Sequence, residues 1–170
     1  MSIVEDINTF IKQHVHLTDS FSPIYLAAWV LASWLVLPGM PVLYITGKAR
    51  EQMLDVLACL CSEVALVKES HGLCITPTIV TERPTWPTDS FTVRARKAIY
   101  KPIWDPKFRL SLALWAKRNA EEVQACFWGL LHGQKPDPLA GLTAILLVDS
   151  LKLEQDALAA REMELHNEEA

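Results

Sequence analysis

Apolar positions along this chain keep helical spacing at both ends and change to short β-branched runs in the middle. Ile3, Ile7, Phe10, Ile11 and Val15 recur on one helical face, which predicts an amphipathic helix over residues 3–16. Ser2-Ile3-Val4-Glu5 sits at its start as a capping box, hydroxyl and carboxylate serving the free amides. Ser22-Pro23 marks a second start, with proline where its missing amide costs nothing. That helix is apolar all round to Leu37, so it belongs at the centre. Pro38-Gly39-Met40-Pro41 breaks the run, and Pro41–Gly47 (PVLYITG) then reads as a buried strand.

After Gly47 the period turns helical again, with Met53, Leu54, Leu57, Leu60, Cys61 and Val64 in one stripe. Leu73–Thr81 (LCITPTIVT) reads as a strand, and Pro77 places it at an edge or bulge because proline cannot donate to a ladder. Four prolines punctuate residues 82–106, which read as largely irregular with a short strand near 91–100. Asp105-Pro106 and Asp137-Pro138 repeat one device, a capping carboxylate followed by proline in the first turn. They open helices over 106–132, which Gly133 ends, and 138–165. Ala144–Asp149 (AILLVD) also fits a strand, but Leu139, Leu142, Leu146 and Leu153 keep helical spacing. The fold class expected is α/β or α+β, helix-rich, with a small sheet between flanking helices in the order α-α-β-α-β-(β)-α-α. Residues 1–165 form one globular domain in this reading, and 166–170 a frayed acidic tail.

Composition narrows the class. In 170 residues, 51% are hydrophobic and 21% charged, which supports a core and excludes wholesale disorder. Four cysteines are too few for a disulfide scaffold. The N-terminus lacks the positive charge and apolar run of a secretory signal, so a cytoplasmic location is expected. The fourteen apolar residues Ile24–Leu37 would cover only about 21 Å, too short to cross a bilayer.

One stretch carries a resemblance. AAWVLASWLVLPGMPVLYITG followed by MLDVLACLC is a tryptophan-bearing apolar helix, a strand ending Ile-Thr-Gly and a leucine-rich helix. Over roughly residues 10–62 it resembles the P-loop ATPase module of plasmid and phage primase- and helicase-associated proteins. The resemblance implies a phosphate loop after the strand, which needs G-x-x-x-x-G-K-[ST] for its amides, lysine and Mg²⁺-binding hydroxyl. Gly47 matches the first glycine, whereas the second glycine and the Lys-Ser/Thr pair are missing. The loop is therefore degenerate. Gly47, Lys48 and Arg50 remain as an anion-binding candidate, and Asp149 is the counterpart of a metal-binding carboxylate if Ala144–Val148 is a strand.

Charge is unevenly distributed. Arg94, Arg96, Lys97, Lys101, Lys107, Arg109, Lys117 and Arg118 are eight bases against one acid, Asp105, so 94–118 carries +7 and the rest of the chain −11 for a total of −4. Tyr100 and Trp104 interleave with the bases, a mix that grips phosphates and bases or an acidic protein surface. Residues 94–109, with Arg94, Arg96, Lys97, Tyr100, Lys101, Trp104, Lys107 and Arg109, are the candidate binding segment. The six tryptophans divide between helices (Trp29, Trp34, Trp115, Trp128), where core is expected, and the proline-rich segment (Trp86, Trp104).

No catalytic constellation is expected. Cys59 and Cys61 point apart on a helix, His71 and Cys74 lack zinc spacing, and His14 and His16 read as surface residues. No nucleophile elbow occurs. No cofactor and no metal are expected. The leading functional expectation is a non-catalytic interaction or regulatory protein of a mobile genetic element, docking a larger assembly through 94–109. The alternatives are a nucleic-acid-binding accessory factor of replication or plasmid and phage maintenance, and a nucleotide-dependent enzyme with an atypical P-loop. The partner is a protein or a nucleic acid, not a membrane, and a homodimer is a further expected state.

Overall fold

A computed structural model describes residues 2–18, 22–68, 77–83, 90–133 and 139–169. The elements run α1 (Ile3–His14), β1 (Val15–Leu17), α2 (Ser22–Ala32), β2 (Val42–Thr46), α3 (Arg50–Leu60), β3 (Ala65–Val67), β4 (Thr78–Val80), β5 (Ser90–Ala98), α4 (Pro106–Leu131) and α5 (Ala140–Glu169). The architecture is α/β and helix-rich with a five-stranded mixed sheet in the order β1-β5-β2-β4-β3. Strands β5, β2, β4 and β3 are mutually parallel, and β1 closes one edge antiparallel to β5. None of the described helices is long and apolar enough to cross a membrane.

The local start signals act as their chemistry requires. The Ser2 hydroxyl accepts from the Glu5 amide at 3.2 Å. Asp105 Oδ1 accepts from the amides of Lys107 (3.0 Å) and Phe108 (3.2 Å), and Pro106 follows it in the first turn of α4. The C-terminal end of α4 turns through left-handed His132 and Gly133. Residues 144–149 are helical, so Asp149 belongs to α5 and not to a strand. It is buried and accepts from the Ser2 hydroxyl, tying α5 to the start of α1.

Several expectations need correction. Helix α2 stops at Ala32, not Leu37: amides of Ser33, Trp34 and Leu35 reach back three residues to Val30, Leu31 and Ala32, a tight 3₁₀ pattern. The Ser33 hydroxyl also donates to the Val30 carbonyl, at 2.6 Å. The first helix ends at His14, and Val15–Leu17 pairs with β5 instead. The strand holding Thr78–Val80 is interior, between β2 and β3. Pro77 precedes its first ladder residue and uses only its carbonyl, which accepts from Ala65 at 2.9 Å, so no edge position is required. The strand expected near 91–100 is present as β5, nine residues long and inside the sheet, so that part of 82–106 is more regular than its prolines suggest. Residues 90–94 pair with β2, and 95–98 with β1. The expectations for His71, Cys74, Trp86 and Asp137-Pro138 fall outside the described residues.

One apolar core joins the sheet to the helices. Helix α3 lies against β2 and β5, α2 packs between α1 and α5, and α4 runs along α5. Enclosure on several sides explains why α2 is apolar throughout: Leu26 to Ala32 are all buried. Trp29 is fully buried and donates to the Pro41 carbonyl at 3.1 Å. Trp128, expected in the core, is 58% exposed on α4.

Both faces of the sheet hold buried residues. Leu43, Ile45, Val93 and Ala95 are buried beneath the helices. Strand alternation sends Tyr44, Thr46, Thr92 and Arg94 to the opposite face. There Tyr44 and Thr46 are half-buried, and Thr92, Arg94 and Arg96 are exposed. Val42, Thr78 and Val80 share that second face and are buried, so β4 and the start of β2 are enclosed on both faces, as parallel strands usually are, and the accessible part is the end holding Thr46, Thr92 and Arg94.

Candidate functional site

The basic aromatic segment is one stretch of sequence but three different environments. Its first part is strand. Arg94 and Arg96 are exposed on the side of β5 opposite buried Val93 and Ala95, while Lys97 lies opposite His16 in the β1 ladder. Its second part, residues 99–105, leaves the sheet and crosses to α4. Backbone and side-chain anchors hold this crossing. The Ile99 amide donates to the His14 carbonyl at 2.9 Å, Gln52 Nε2 donates to the Tyr100 carbonyl, and Asp105 caps α4.

The anchors at Ile99 and Tyr100 use backbone and leave those side chains outside. Ile99 is 45% exposed, Tyr100 71%, Ile103 79% and Trp104 56%. Four large apolar side chains within six residues thus stand on a braced loop, ringed by the exposed ammonium groups of Lys97, Lys101 and Lys107. None of these bases is held in an ion pair among the described residues, where the ion pair found is Lys68 with Glu82 at 3.5 Å.

Arg109 is the third environment, and it faces inward. Its guanidinium carbon lies 4.0 Å from the centre of the Trp104 ring and 5.0 Å from that of Trp34. Its Nη1 donates to the carbonyls of Cys59 (3.1 Å) and Cys61 (2.8 Å) at the end of α3. The last carbonyls of a helix have no partner within it and carry its negative dipole end, so a cation there satisfies both. Trp34 completes the cap, its Nε1 donating to the Leu60 carbonyl at 3.0 Å. Arg109 therefore braces Trp104 from below and is committed inside the fold. Lys117 and Arg118 lie further along α4 and are exposed.

The Gly47–Arg50 loop packs onto β5. Gly47 has φ +102°, and a Cβ there would lie 2.0 Å from the Ala95 carbonyl oxygen. That carbonyl accepts from the Ala49 amide at 3.1 Å, and the Arg50 amide donates back to Gly47 at 3.3 Å. Two amides that a phosphate cradle would need are thus engaged with the protein. Lys48 is exposed and Arg50 half-buried. Asp149, bonded to Ser2 at the α1–α5 contact, is not part of this loop.

The thiols are quiet. Burial pushes Cys61 from 9.0 up to about 12, with the Ser33 hydroxyl and the Arg109 cation pulling partly the other way. Burial also raises Cys59 and Cys126. Among the described residues, no three His, Cys, Asp or Glu side chains gather as a metal site requires. His14 is half-buried, its Nδ1 2.7 Å from the Phe10 carbonyl, and His16 is exposed.

Sequence reasoning did not single out Tyr44, Thr46, Arg83 and Thr92, which with Gly47 and Arg94 line a cavity of about 500 Å³ at the accessible end of the second sheet face. The polar alternation Tyr44, Thr46 against Leu43, Ile45 was the available clue. Compared with protein-family models, curated proteins and solved structures, the chain matches none.

Proposed function

We propose that this chain is a non-catalytic interaction module that docks a larger protein assembly through residues 97–107. The carrying observation is the braced loop that exposes Ile99, Tyr100, Ile103 and Trp104 while its backbone is hydrogen-bonded at Ile99 and Tyr100 and the Asp105 side chain fixes its far end to α4. Interface energy concentrates in large, rigid side chains, tryptophan and tyrosine foremost. A loop already fixed in its binding shape loses little entropy on docking. The surrounding lysines favour an acidic rim on the partner and raise the association rate more than the affinity. In this reading Arg109 contributes by holding Trp104, not by touching the partner.

A photo-crosslinking residue at position 100 in the chain's native host tests this reading. The expected result is one dominant protein adduct, suppressed by Ile103→Glu. Crosslinks spread over many proteins and unaffected by Ile103→Glu would contradict it. Placement in a plasmid or phage system is part of the same proposal. It rests on the resemblance of residues 10–62 and would be tested by the identity of the crosslinked partner.

A further inference from the structure

The geometry points to a second site, separate from the docking loop, that binds a nucleotide unit at the accessible end of the second sheet face, beside Thr46 and Arg94. Register places its parts. Tyr44 pairs with Thr92 and Thr46 with Arg94 across β2 and β5, so the four side chains share one face at strand spacing. On the other side of β2, Val80 pairs with Tyr44. Arg83 follows three residues later and reaches the same cavity.

The chemistry of the lining is one-sided. Two guanidiniums and three hydroxyls converge on about 500 Å³, and among the described residues no carboxylate lines the cavity. Neither Arg83 nor Arg94 has an ion-pair partner among the described residues. Guanidinium is the side chain best matched to phosphate, because its planar fork can donate two parallel hydrogen bonds. Threonine and tyrosine hydroxyls are further donors to phosphate oxygens. The volume lies within the range of small-molecule sites, roughly 300–1,000 Å³, and exceeds what inorganic phosphate alone needs. Tyr44 adds an aromatic ring to the lining, a surface on which a base can stack.

This site does not use a phosphate loop. The Ala49 and Arg50 amides are engaged with Ala95 and Gly47, so side chains of β2, β5 and the segment just after β4 take their place. The same chemistry recognises a free mononucleotide or one unit of a single strand.

Fluorescence anisotropy of fluorescein-labelled dT12 at low salt, with calorimetric titration of AMP, tests the site on the full chain. Arg83→Gln and Arg94→Gln replace exposed side chains, and Lys117→Gln is the charge-matched control outside the cavity. Saturable binding of dT12 or AMP that each cavity variant weakens by about tenfold, with the control within about twofold, is the expected result. Displacement of dT12 by AMP, or AMP binding alone, assigns the site to a free nucleotide. Binding of dT12 that millimolar AMP leaves untouched assigns it to a strand. No saturable binding of either probe overturns the proposal, as does equal weakening by Lys117→Gln, which would mean diffuse charge.

Discussion

Arg109 offers the sharpest test of how this fold is held together, because one guanidinium joins three segments. Replacing it with alanine removes a charged donor from the Cys59 and Cys61 carbonyls and a cation from between Trp34 and Trp104. A hydrogen bond from a charged group contributes about 1.5–3 kcal/mol. One nitrogen serves both carbonyls here, so they count together as about 2 kcal/mol. Two cation–π contacts at a half-exposed position add about 0.5 kcal/mol each. Arg109→Ala should therefore destabilise by about 3 kcal/mol, or a fall in Tm of about 6–12 °C for a chain of this size. Arg109→Lys keeps the charge but not the plane, and should lose about half as much. Urea unfolding followed by far-UV circular dichroism measures both. A double-mutant cycle with Trp104→Ala should return a coupling of about 0.5–1 kcal/mol. An Arg109→Ala variant within about 0.5 kcal/mol of wild type, with no coupling to Trp104, would refute the reasoning and return Arg109 to the partner-binding set.

Other positions make equally definite predictions. Gly47→Ala puts a Cβ against the Ala95 carbonyl at a left-handed φ, and should cost about 3 kcal/mol of stability in the same urea assay. Asp149→Ala leaves the buried Ser2 hydroxyl without its acceptor and should cost about 2 kcal/mol, read as faster amide exchange through α1 as well as a lower Tm. The Cys61 thiol holds its proton more tightly in the fold than in the unfolded chain, from 9.0 to about 12. Its contribution is complete below pH 9 and is lost as pH rises toward 12. Stability should fall by up to about 1.4 kcal/mol per pH unit in that window, a slope that Cys61→Ala removes. At neutral pH a thiol reagent should modify Cys61 only after unfolding, because the reactive thiolate is absent and the site is closed.

What was legible in the sequence was what neighbours in the chain decide. The Ser2–Glu5 and Asp105-Pro106 caps are contacts within three residues, and they appear as expected. Helical periodicity likewise places residues 144–149 in α5 despite their strand-like composition. The three-residue strands β1 and β3 were not legible, since pairing with β5 and β4 defines them and no local period marks so short a segment. Pro77 misled because a proline just before a strand gives up an amide the ladder never asks for. The candidate site was legible as a segment but not in its division. Arg109 looks like its basic neighbours until the fold brings in Cys59 and Cys61, 50 and 48 residues away. Tyr44 and Thr46 looked like members of a strand buried throughout, because nothing local reports that burial of this face stops after Val42 along β2.

The account turns on the docking loop, and affinity capture from the native host with tagged wild type, Ile103→Glu and Leu158→Glu tests it most directly. Both substitutions add one negative charge at an exposed apolar position, the second far along α5. A protein retained by wild type and by Leu158→Glu but lost with Ile103→Glu, all three folded by circular dichroism, is the result predicted. Identical capture by all three chains would contradict it.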